Sequence, residues 1–201
     1  YGLQGIPKSF DTYPAYHKIS HIVQRYMNNT FLNDRSRCPC VGNQFMSELT
    51  MNWAERHLQV YSDLPNFIAT QHSESAGGDQ TMTLDLALRN HLEWFVNSGR
   101  AKNTVVVVLS DRGLHSADVF NMNTRTAIYE HENPVMFWML PDRFVTEPFL
   151  SNVDKLTTLK DVHLTLRDIA SYPNQDVQRV SRKDALSLIH DTASSTRDCQ
   201  S

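Results

Sequence analysis

Long apolar runs are missing from this 201-residue chain. None approaches the ~20 residues that a helix needs to cross a bilayer, so no membrane span is expected within it. No signal peptide opens the chain, but Tyr1 is not a start methionine, so that absence says little about the parent protein. An excess of positive charge is missing too. Nineteen Lys and Arg stand against 22 Asp and Glu, for a formal net charge of −3. With no basic stripe or arginine-rich helix to follow a phosphate backbone, nucleic acid is not an expected partner. Cysteine is scarce: three residues are too few for a disulfide framework, and an odd count leaves at least one unpaired within the chain. Cys38-Pro39-Cys40 sets two of them too close together for an easy mutual bridge. Internal repeats and low-complexity tracts are also absent. The sequon Asn28-Asn29-Thr30 suits glycosylation at Asn28 and leans toward a secreted or membrane-associated parent.

The length suits one core, or part of a larger domain. Residues 1–40 mix Gly, Pro, Tyr and Asn without a steady period and read as a connecting segment, with a short helix through Ile19, Ile22, Val23 and Tyr26. Residues 41–190 carry the periodic patterns. Phe45, Leu49, Trp53, His57 and Val60 recur every three or four positions, which predicts an amphipathic helix. Tyr61 to Pro65 ends it, and Asn66-Phe67-Ile68-Ala69-Thr70 reads as a strand. After the polar loop 71–79, Thr81 or Thr83 caps a helix whose stripe Leu84, Leu88, Leu92 and Phe95 runs to Gly99. The β-branched run from Thr104 to Leu109 predicts a strand buried on both faces. Strand, helix and strand within about 40 residues have the size of a right-handed βαβ unit with parallel strands. Val135 to Leu140 supplies a third strand. Thr158 and Asp161 form a capping box with Asp in place of Glu, and Leu159, Val162, Leu166 and Ile169 form the buried face of the helix that follows. A last helix is expected over 181–190. Residues 191–201 read as a polar, fraying tail.

Chemistry concentrates after the valine run, at Ser110-Asp111-Arg112-Gly113. In open α/β sheets ligands gather outside the carboxyl ends of the strands, where Asp111 stands. The tetrapeptide looks like a metal-binding turn with one ligand missing.

With its neighbours, this stretch resembles the alkaline phosphatase superfamily, nearest to an uncharacterised, sulfatase-like eukaryotic branch. The superfamily's strand ends in Ser-Asp-His-Gly, whose Asp and His bind a divalent metal. The resemblance also rests on Asn103-Thr104, on Glu130 ahead of Asn133-Pro134 and the run 135–141, and on Leu156-Thr157-Thr158 followed by Asp161, His163, Thr165, Leu166 and Asp168. It spans roughly Cys38 to Ala170. It implies an α/β fold, a three-layer α/β/α sandwich with a mostly parallel sheet, incomplete here. It also implies that the nucleophile and the first metal Asp lie in an upstream half, so the chain reads as the C-terminal part of the domain and no catalytic nucleophile is assigned. The sulfatase formylglycine motif needs a Cys followed by Pro and Arg at fixed intervals. Cys38 and Cys40 fail it, because Pro39 comes one residue too early and no Arg follows at the right place.

The resemblance makes Asp111 the candidate metal ligand, against a plain role capping the next turn or pairing with Arg112 or His115. Arg112 is the decisive departure, since a guanidinium stays protonated and has no lone pair for a metal. It suits an anion held bidentately, or a salt bridge in a decayed site. His115, three residues on, is a further candidate toward the same crevice. In the loop 71–79 the ligands expected in this branch fall on Ser75 and Ala76, and His72 and Glu74 serve only with an alignment shift. Glu130 is a supporting residue that shapes its loop. His163, Asp161 and Asp168 read as structural or surface groups of the closing helix. The superfamily's cofactor is zinc, manganese or calcium, doubtful in this chain, and the implied partners are a phosphate or sulfate ester or a glycan. The expected function is that of a degenerate, non-catalytic member. The alternative is a metal-dependent phosphoric or sulfuric ester hydrolase whose nucleophile lies upstream.

Overall fold

The computed structural model describes residues 40–41, 43–72, 81–111, 113, 124–173 and 185–198. The chain divides into two compact units between His91 and Leu92. The described residues form a mixed α/β structure with five helices.

In the first unit, β1 (Cys40–Val41) and β2 (Gln44–Phe45) make a short antiparallel hairpin with Cys40 opposite Phe45. The hairpin leads directly into α1 (Met46–Val60). The expected helix is present, but its buried line is Ser47, Met51 and Ala54. The predicted stripe lies beside that line: Leu49, Trp53 and His57 are half-buried, and Phe45 and Val60 are exposed. Serine and alanine allow a closer approach than indole or imidazole, so the bulky residues that carry the periodicity end up flanking the contact. Trp53, His57 and Tyr61 then stack one turn apart, with ring centroids at 5.4 and 4.7 Å.

The Tyr61 amide donates to the His57 carbonyl at the helix end. Asn66 Nδ2 donates to the carbonyls of Tyr61 and Leu64 at 2.8 and 2.7 Å. That closure holds the chain in an irregular path, and Asn66 to Thr70 is not a strand. The predicted βαβ unit is therefore not formed among the described residues. The segment's Phe67, Ile68 and Thr70 have strand propensity, but a ladder also needs a partner edge.

Helix α2 (Thr81–Asn97) carries its predicted stripe, with Leu84, Leu88 and Leu92 half-buried and Phe95 buried, but Thr81 and Thr83, expected as caps, both lie within it. Gly99 follows at φ 73°, a left-handed backbone that glycine adopts without steric cost.

In the second unit, β3 (Val106–Leu109) pairs with β4 (Met136–Met139) in antiparallel register, Val106 opposite Met139 and Leu109 opposite Met136. Both strands are where the sequence puts them, and their pairing is antiparallel where parallel strands were expected. The valines are half-buried, not enclosed on both faces, and Phe137 on β4 is 67% exposed. Between the strands lies α3 (Arg125–Glu132), a helix where a loop around Glu130 was expected. Its signal was the Thr124 cap, whose hydroxyl accepts from the Ala127 amide. Helix α4 (Glu147–Asn152) was also unanticipated. The Thr146 hydroxyl accepts from the Phe149 amide, and Pro148 sits in the first turn, where its missing N–H costs nothing.

Helix α5 (Leu159–Ser171) carries the predicted capping box: Thr158 accepts from the Asp161 amide while Asp161 accepts from the Thr158 amide. Its buried face differs from the prediction. Val162 is buried as expected, but Asp161, Leu164 and Thr165 join it while Leu159 stays exposed. Asp161, read from sequence as a helix-end or surface carboxylate, is 0% exposed.

The reason is the segment that packs on α5. In place of the predicted helix, the described part of 181–190 has the Leu188–His190 turn, closed by the Ser187 carbonyl. Beyond an isolated bridge at Ala185, the described part of this segment has no strand or helix, so its buried backbone groups need side-chain partners. Asp161 accepts from the Leu186 amide at 2.8 Å, and the Thr165 hydroxyl accepts from the Leu188 amide at 2.8 Å. Thr146 donates to the Ile189 carbonyl at 2.7 Å. Asn152 donates to the Asp191 carbonyl at 2.7 Å and accepts from the Ala193 amide at 2.8 Å. Leu188, Ile189 and Ala193 are buried beside these bonds. Residues 191–198, expected to fray, are thus anchored.

Candidate functional site

The strand β3 delivers Asp111 two residues beyond its last ladder pair. Ser110 extends the pairing by one step, because its amide donates to the Val135 carbonyl and its hydroxyl accepts from the Val135 amide, both at 2.9 Å. Two residues past Asp111, the Gly113 amide donates to the His131 carbonyl at 3.0 Å, near the end of α3. The turn is therefore fixed on both sides of Asp111, and the Asp111 carboxylate itself is exposed. At the opposite end of β3, Arg143 holds the entry. Its guanidinium donates to the Lys102 carbonyl and to Asn103 Oδ1 at 3.1 and 3.0 Å, and packs over the rings of Phe144 and Tyr172.

Of the predicted site residues, Asp111 stands at the carboxyl end of its strand as expected. Glu130 lies in α3, the helix joined to the Asp111 turn through Gly113 and His131. Arg112, His115 and Glu74 fall outside the described residues. His72 belongs to the first unit, where its Nε2 lies 3.2 Å from the Thr70 hydroxyl.

Of the groups that could ligate a metal, the described part of this turn offers the exposed Asp111 carboxylate. Among the described residues, no group of three or more His, Cys, Asp or Glu is arranged to hold an ion.

Among the described residues, a buried ion pair in the second unit was not foreseen. Arg197 grips Asp161 bidentately, Nη1 to Oδ2 at 2.8 Å and Nη2 to Oδ1 at 3.1 Å. The Thr158 amide and hydroxyl add bonds of 2.7 and 3.0 Å, and Leu186 adds the fifth. Burial by itself pushes the Asp161 carboxyl up, but the Arg197 guanidinium, with the Leu186 and Thr158 donors, holds it below the ordinary 3.8. With every oxygen engaged and no exposure, Asp161 is a structural anion. His190 Nε2 lies 3.9 Å from Asp168 on the same helix, too far for a hydrogen bond.

In the first unit, His91 Nδ1 meets Glu55 at 2.8 Å and joins α1 to α2. A shallow hollow of about 470 Å³ runs beside α1 along Asn52, Trp53, Glu55, Arg56 and Gln59. It contains none of the predicted site residues. Among the described residues, no helix is long and apolar enough to cross a membrane.

Residues 7–201 match the family described as "Protein of unknown function (DUF229)", and the chain belongs to that family. No curated protein and no solved structure matches it.

Proposed function

We propose that this chain is a degenerate, non-catalytic member of the alkaline phosphatase and sulfatase-like superfamily. The observation that carries the reading is the turn Ser110-Asp111-Arg112-Gly113 at the carboxyl end of β3, with Arg112 where the superfamily has its metal-binding His. The pinning of that turn by Val135 and His131 supports it, since a ligand-bearing loop needs such a mount. The three-layer sandwich belongs to the same proposal. It is supported by the half-covered valines of β3 and by exposed Phe137, which suit a sheet that continues beyond two strands. In this reading Arg112 supplies fixed positive charge where a metal would otherwise stand, suited to a phosphate or sulfate ester or a sulfated glycan.

One observation favours the alternative, a metal-dependent ester hydrolase with its nucleophile upstream: Asp111 is exposed at the strand end and so remains accessible to an ion. Metal content per chain, measured by elemental mass spectrometry after exposure to zinc and manganese, separates the two. The non-catalytic reading expects no retained metal in the unaltered chain and a gain in Arg112→His. Near-stoichiometric metal in the unaltered chain overturns it. If neither protein retains metal, the ligand set is incomplete, and hydrolysis of phosphate and sulfate esters is then assayed on a longer chain that includes upstream residues.

A further inference from the structure

We draw no further inference here: the strongest candidate, the run of exposed apolar side chains Leu150, Val153, Leu156 and Leu159 from α4 into the start of α5, is a surface patch for which nothing in the structure shows what covers it.

Discussion

Replacing Asp161 with Asn keeps the shape of the side chain and removes its charge. In the structure the carboxylate accepts five hydrogen bonds from three places: the cap of α5, the Leu186 amide and Arg197. An amide has one acceptor oxygen and presents N–H groups where the other oxygen was, so at least two donors lose their partner. Arg197, 11% exposed at its side chain, is then left as a nearly buried cation without a counter-charge. Breaking a buried pair in this way costs about 3–5 kcal/mol, which is a large share of the roughly 5–15 kcal/mol that holds an ordinary domain together. The same range applies to Arg197→Met, which strands the carboxylate instead. The double variant Asp161→Asn/Arg197→Met leaves neither charge behind and is expected to lose less than the sum of the singles. Urea unfolding of the four proteins measures the cycle, and amide hydrogen exchange locates the effect. Protection at Leu186 and Leu188 should fall first, because their N–H groups are held by Asp161 and Thr165. A loss below about 1 kcal/mol in Asp161→Asn, or strictly additive single variants, would refute the argument that this pair clamps the C-terminal segment.

The same carboxylate gives a pH dependence of known sign. Its folded pKa lies below the ordinary 3.8, so its contribution is full above that value and disappears as pH falls through the folded pKa; acid unfolding should show this component, and Asp161→Asn should lack it. Thr165→Val removes the hydroxyl that donates to the Asp161 carbonyl and accepts from Leu188, leaving a buried amide unpaired. A loss of about 1–3 kcal/mol in denaturant unfolding is expected, and an unchanged midpoint would show that water or a shifted backbone replaces the hydroxyl. Ser110→Ala should cost about 1 kcal/mol and accelerate exchange at the Val135 amide, with Ser110→Thr restoring protection; equal exchange in all three proteins would mean the turn is held elsewhere.

Much of the local structure was legible. Gly99 marked the end of α2, and Thr158 with Asp161 marked the start of α5, because a left-handed glycine and a capping box are satisfied within a few residues. Strands β3 and β4 were legible from β-branched and aromatic runs, whereas the β1–β2 hairpin was not. For the candidate site, Asp111 and its place at a strand end followed from sequence. Its mount did not, because the bonds reach from Ser110 to Val135 and from Gly113 to His131, across 25 and 18 positions. Helices α3 and α4 were overlooked for a different reason. Both are short, at 8 and 6 residues, so a 3.6-residue period has too few turns in which to repeat, and only the Thr124 and Thr146 caps announced them.

What the sequence determined by itself is therefore the set of elements that close their own hydrogen bonds or bury a regular stripe. Strand direction, the buried line of α1 and the fate of Asp161 were decided only by the tertiary structure. A carboxylate three residues into a helix looks the same in sequence whether it caps its own first turn or also meets Arg197, 36 positions away. Burial makes that difference, since it removes the water that would otherwise satisfy the charge and requires a distant guanidinium and a distant backbone amide to replace it.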